Sequence, residues 1–149
     1  MSTTKPTTIH LKVERLRAGA EPTFIARLAS GWAVLGEPQF LKGYSLLLPD
    51  PVVSSLNALA QDARLQFLAD MGALGDAVLA ATGAIRINYA ILGNLDPVLH
   101  AHVMPRYADE AEEFRTSHPW TYDWSRAPRF DAGAQAPLIA ALRARLGRA

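Results

Sequence analysis

The chain has 149 residues, 50% of them hydrophobic, with 15 Lys+Arg against 14 Asp+Glu and a formal charge of +1. That length supplies one ordinary core, and the composition excludes a disordered or fibrous protein. The balanced charge gives neither a basic stripe for duplex nucleic acid nor a polybasic membrane patch. With no cysteine, disulfides, thiol nucleophiles and thiolate metal sites are excluded as well.

The opening MSTTKPTTIHLKVERLR lacks the apolar core and cleavage site of a secretory peptide, and no apolar run is long enough to span a bilayer. A cytoplasmic location is expected, in one domain over 1–149. Apolar Ile9, Leu11, Val13 and Leu16 among charged residues predict a short helix in an N-terminal arm over 1–20, stopped by Gly19-Ala-Glu-Pro22. Residues 31–36 and 43–49 are apolar runs fenced by Gly and Pro, and predict buried strands joined by 37–42. Ser54 and Ser55 offer caps for a short turn. A long helix follows over about 61–82, because Phe67, Met71, Leu74 and Val78 share one helical face. Gly72 and Gly75 suit a close approach to the sheet, and Gly83 a left-handed stop.

Over 85–92, Ile85, Ile87, Tyr89 and Ile91 alternate with Arg86, Asn88 and Ala90, a strand with those four on its buried face. Residues 93–97 form a turn by composition. A further strand over 98–106 places Leu99, Ala101 and Val103 on one face, and Val98, His100, His102 and Met104 on the other. The tail 108–149 holds an acidic stretch with Asp109, Glu110, Glu112 and Glu113, read as a solvated turn, then an aromatic loop and a helix over about 136–146. Strands, a long helix and two more strands without βαβ alternation predict an α+β fold with a mainly antiparallel sheet.

His100 and His102 lie roughly 7 Å apart on one side of their strand. Two imidazoles so placed suit a nucleophile with a proton donor, a metal pair, or two ordinary polar residues on a solvated face. His118 is read as a surface residue of the aromatic loop and His10 as a solvated one near the terminus. Trp120, Tyr122 and Trp124 are able to stack on a base, but aromatics in a long loop more often pin it to the core.

The run Gly93-Asn-Leu-Asp-Pro-Val-Leu-His-Ala-His-Val-Met-Pro-Arg-Tyr107 resembles the signature of the histidine triad superfamily, three histidines alternating with apolar residues and often followed by Pro-Arg. The upstream Gly43-to-Pro49 strand, long helix and Asn88 strand are similar too, so the resemblance spans roughly residues 28–107. It implies a sheet of about five strands with one long central helix and a C-terminal helix, commonly in a homodimer. It also implies a nucleotide ligand and cleavage of dinucleoside polyphosphates, such as diadenosine polyphosphates, or of nucleotide phosphoramidates. His100 falls on the nucleophile that attacks the α-phosphorus, and His102 on the histidine that hydrogen-bonds the phosphate. Asn88 and Asn94 fall where amides touch phosphate oxygens. Gln39 or Glu37 takes the place of a ribose-binding residue, and Arg106 reaches either phosphate or the acidic stretch. No cofactor or resident metal is implied, beyond a divalent cation carried by the substrate, and no nucleic-acid or membrane partner.

Val98 stands where the first triad histidine is expected. A main-chain carbonyl remains able to hold the Nδ1 proton of His100, so restoring the residue by Val98→His is expected to raise the rate or leave it unchanged. Two alternatives stand beside the hydrolase: a nucleotide-binding protein with little or no turnover, and a metal enzyme using His100, His102 and Asp96.

Overall fold

A computed structural model describes residues 5–147. The first four residues of the expected N-terminal arm and the last two of the tail lie outside the described residues. Helix α1 (Thr8–Arg17) is set by a capping box in which Thr7 accepts from the His10 N–H and the His10 ring accepts from the Thr7 N–H. His10 is therefore half-buried in the cap, with Nδ1 as the acceptor, and is not the free solvated residue the sequence suggested.

Strand β1 (Phe24–Arg27) was not foreseen, because four residues are too few to display a period. β2 (Gly31–Leu35) and β3 (Ser45–Pro49) pair antiparallel as expected. Helix α2 (Gln61–Thr82) has the predicted bounds, and Gly83 ends it at φ 74°, where glycine carries no Cβ penalty. Gly75 permits close packing: a Cβ there would lie 1.9 Å from the Tyr89 hydroxyl. Gly72 faces open space and plays no such part.

β4 (Arg86–Ala90) and β5 (Ala101–Arg106) complete an antiparallel five-stranded sheet of order β1-β2-β3-β5-β4. The fold is thus α+β. β5 is interior, and β4 is an open edge. That edge position corrects the reading of 85–92: Ile87 is buried, whereas Ile85 and Tyr89 are exposed. Beyond β5 come the four-residue helix α3 (Glu112–Arg115), two short turns, and α4 (Ala132–Leu146), which starts earlier than expected because Asp131 caps it ahead of Pro137. No helix among the described residues is long and apolar enough to cross a membrane.

Each face of the sheet has its own cover. On one, α2 and α4 bury Leu35, Leu47, Phe67, Leu74, Val103 and Leu142. On the other, Ile9, Val13 and Leu16 of α1 seal Val34, Leu48 and Val98. The rest of this second face, over β5 and β4, is overlaid by the aromatic segment. Phe40 meets Trp124 at 4.0 Å and Trp120 stacks on Trp124 at 5.7 Å, so these rings do pin the loop.

One ion pair holds that segment down. The Arg106 guanidinium donates to Glu110 at 3.0 Å, and also to Asn88 Oδ1 and the Ser117 and Phe114 carbonyls. Glu110 further accepts from the Tyr107 N–H and the Tyr122 hydroxyl. Burial opposes the charge of Glu110, but these bonds outweigh it and hold the carboxyl below its ordinary range. The acidic stretch is therefore solvated only at Asp109, Glu112 and Glu113. Glu110 belongs to a buried pair, both side chains nearly sealed.

Candidate functional site

The pleat of β5 turns His102 and Met104 to the side opposite α2, while Ala101 and Val103 enter the α2 core with Leu99. The strand starts at Ala101, not at Val98 as expected, so His100 stands just ahead of it. The two imidazole centroids lie 5.1 Å apart at 68°. His102 sits opposite Leu46 on β3 and Ala90 on β4, so neighbours on both sides fix its place.

Each ring is oriented by a different group. His100 Nδ1 is 2.8 Å from the Val98 carbonyl oxygen. A carbonyl only accepts, so Nδ1 carries the proton and Nε2 of the neutral ring holds a free lone pair. Nε2 has no hydrogen-bond partner among the described residues. His100 as a whole is only 9% exposed. The main-chain carbonyl expected to hold the Nδ1 proton of His100 is in place.

His102 Nδ1 lies 2.7 Å from the Tyr44 hydroxyl, with the two rings nearly parallel. Burial raises the Tyr44 pKa, so the phenol stays neutral, and its hydroxyl serves Nδ1 as donor or acceptor according to the tautomer of the ring. In the tautomer in which Nδ1 accepts from the phenol, the His102 proton sits on Nε2, available to an acceptor. Burial, and secondarily the charge of His100, push the His102 pKa down to about 4. At neutral pH this ring offers an N–H dipole, not a cation. Trp120 closes in edge-on at 5.4 Å. Sequence reasoning assigned Tyr44 no role; its position just after Gly43, at the head of an apolar strand, was the available signal.

Two hollows border this stretch of chain, and neither is lined by His100 or His102 themselves. One, of about 330 Å³, adjoins Val98 and Leu99 and is bounded by Ser54, Asn57 and Gly93. The other, of about 400 Å³, lies over Met104, Asn88 and Ala90 under Trp120.

The remaining candidates separate clearly. Asn88 lines the second hollow, with its Oδ1 already accepting from Arg106. Arg106 is 5% exposed and committed to Glu110 and its loop, so of its two expected roles the structure shows pairing with the acidic stretch. Gln39 is not free for a ribose: its amide donates to the Gly36 and Tyr44 carbonyls and accepts from the Gly43 N–H, tying the β2–β3 loop together. Glu37 pairs with Lys12 and Arg129. Asn94 is exposed on the turn before Val98. His118 is exposed, as expected, but lines the Trp120 hollow.

The metal alternative lacks its third ligand. Asp96 accepts from the Ile9 N–H at the start of α1. Among the described residues no three His, Asp or Glu gather as a metal site.

Neither protein-family models nor curated protein sequences match the chain. Solved structures do. A histidine triad protein from Bradyrhizobium japonicum is 23% identical with a TM-score of 0.72, covering 83% of this chain and 89% of that one. One from Marinobacter aquaeolei VT8 is also 23% identical at 0.72, covering 91% and 94%. A hypothetical histidine triad nucleotide-binding protein from Sulfolobus tokodaii is 13% identical at 0.72, covering 93% and 92%. The fold is that of the histidine triad proteins.

Within this histidine triad fold, Val98 is part of the dry α1 contact and is 6% exposed. The expectation for Val98→His changes accordingly. An imidazole placed among Ile9, Val13 and Leu48 overfills an apolar contact, so the variant should lose about 1–3 kcal/mol of unfolding free energy in urea and gain no rate. A variant as stable as the parent and faster would show that the contact opens. A second outcome concerns pH. Unfolded His102 titrates near 6.5, above its folded value of about 4, so between these values the unfolded chain binds the extra proton. Stability should be full above about pH 6.5, fall as pH drops toward 4, and fall less in His102→Gln, as read by thermal midpoints across that range.

Proposed function

We propose that this protein binds a nucleotide and hydrolyses a phosphoanhydride or phosphoramidate bond at its α-phosphate, with His100 as nucleophile. The observation that carries the reading is the Nδ1 bond from His100 to the Val98 carbonyl, which leaves the Nε2 lone pair pointed away from the backbone and unshared. That pair forms a bond to phosphorus while the bond to the leaving oxygen or nitrogen breaks, the departing atom taking the electrons. Water then attacks the same phosphorus, the N–P bond returns its pair to Nε2, and the water's proton leaves to solvent. The His102 Nε2–H faces the phosphate oxygens as a neutral donor, and Asn88 and Asn94 supply amides beside it. Neither step draws on a resident metal or cofactor. The nucleotide-binding description of the Sulfolobus tokodaii structure agrees with this ligand class.

A second reading, nucleotide binding with little turnover, has its own support in the 9% exposure of His100 and in the valine that ends its side-chain network. Both are tested by incubating the protein with a labelled dinucleoside polyphosphate in chelator and quenching. Hydrolysis with a trapped nucleotidyl adduct is expected. His100→Ala should abolish the adduct and lower the rate by about 10³-fold or more. Calorimetric binding of a nucleoside monophosphate without turnover of any substrate would establish the second reading instead.

Assembly follows from the sheet. β4 is an unpaired edge beside exposed Ile85, Tyr89 and Leu92, and such edges are ordinarily covered. We propose a homodimer through β4. Light scattering should return twice the chain mass, and Tyr89→Lys should return the monomer mass; a monomer in the parent protein removes the proposal.

A further inference from the structure

The two imidazoles are held by groups of different kinds. The Val98 carbonyl only accepts, and this alone places the proton of neutral His100 on Nδ1. The Tyr44 hydroxyl is able to donate or accept, so the tautomer of His102 depends on where the phenolic proton goes.

That proton has few destinations. Tyr44 is 3% exposed, and among the described residues its hydroxyl has one hydrogen-bond partner, His102 Nδ1 at 2.7 Å. Phe40 and Trp124 meet its ring edge-on at 5.5 Å and 5.3 Å. Gly36 closes the wall, since a Cβ there would lie 2.1 Å from Tyr44 Cδ1. The main chain is tied as well. The Tyr44 N–H donates to the Leu41 carbonyl, and the Tyr44 carbonyl accepts from the Gly36 N–H and the Gln39 amide. The phenol is thus fixed in an apolar box from which its oxygen reaches a single ring nitrogen. Were the proton of His102 on Nδ1, the phenol oxygen would accept it and the phenolic O–H would stay buried without an acceptor. A buried donor left unmatched is the unfavourable case. Donation to Nδ1 satisfies both groups and puts the His102 proton on Nε2. With its pKa pushed down to about 4, chiefly by burial, the ring is neutral at neutral pH.

We propose that Tyr44 is the positioning residue of His102: its hydroxyl donates to Nδ1 and holds the ring in the Nε2–H tautomer. The neighbouring imidazoles then carry their protons on opposite nitrogens, His100 on Nδ1 and His102 on Nε2. One Nε2 presents a lone pair and the other an N–H dipole, on rings whose centres are 5.1 Å apart. The tautomer stands without reference to any reaction. Its effect on turnover rests on the reading of His100 as nucleophile, because a lone pair at His102 Nε2 repels the phosphate oxygens that an N–H attracts.

Ring-nitrogen spectra of the nitrogen-15-labelled parent at about pH 7, assigned with His102→Ala, read the tautomer directly. His102 should show a protonated Nε2 and a bare Nδ1, the reverse of His100. A His102 proton on Nδ1, or a mixture of the two tautomers, overturns the proposal. In Tyr44→Phe the Nδ1 signal should move to that of a ring nitrogen accepting no hydrogen bond, and an unmoved signal counts against Tyr44. Turnover of a dinucleoside polyphosphate separates positioning from packing. Tyr44→Phe should lower kcat about tenfold in the parent, with a smaller change in KM, and lower it no further in His102→Ala. An equal loss in both backgrounds makes Tyr44 structural only and sinks the proposal. If the parent turns over no substrate, the hydrolase reading fails by itself and the nitrogen spectra still decide the tautomer.

Discussion

β5 is hydrogen-bonded on both edges and covered on both faces, and this constraint organises the rest of the molecule. Its pleat commits alternate residues to opposite duties. Leu99, Ala101 and Val103, none more than 2% exposed, close the core under α2. Val98, His100, His102 and Met104 face the other way. A slip of one residue would bury both imidazoles beneath α2 and expose Leu99 and Val103, so core packing and site geometry enforce the same register. The interior strand fixes His102 between two neighbours, and the bond to the Val98 carbonyl orients His100 just ahead of it.

Val98 serves the arrangement around His100 through its main chain alone. The side chain of Val98 joins the α1 contact, whereas its carbonyl still receives the Nδ1 proton. Side-chain identity and main-chain chemistry are separable at this position, and the tautomer of His100 depends on the main chain. His102 is controlled differently, by a buried phenol reaching from β3.

Polar side chains divide between holding the protein together and facing the cleft. Gln39 and Arg106 spend their donors internally, on the β2–β3 loop and on the aromatic segment. A buried ion pair is costly to desolvate and stabilises only when its remaining donors are satisfied. The Arg106 guanidinium reaches one carboxylate, one amide oxygen and two carbonyls. The return is positional: the pair sets Trp120 against His102 and so makes a cleft wall from a segment far along the chain.

Local pattern by itself determined α2, Gly83, the β2–β3 pair and the imidazoles of β5, because periods of 3.6 and two report directly which residues share a face. Family likeness in the fifteen-residue stretch Gly93 to Tyr107 pointed to the same fold that the solved structures share. Tertiary structure alone decided what periodicity does not encode. β1 is four residues long and becomes a strand by pairing with β2. Ile85 and Tyr89 alternate like buried residues, yet sit on an open edge. Arg106 and Gln39 look like ligand groups, yet their partners lie in loops that only folding brings near. An apolar period records burial by neighbours close in sequence, while the use of a guanidinium, an amide or a phenol is settled by whichever distant group arrives first within hydrogen-bonding distance.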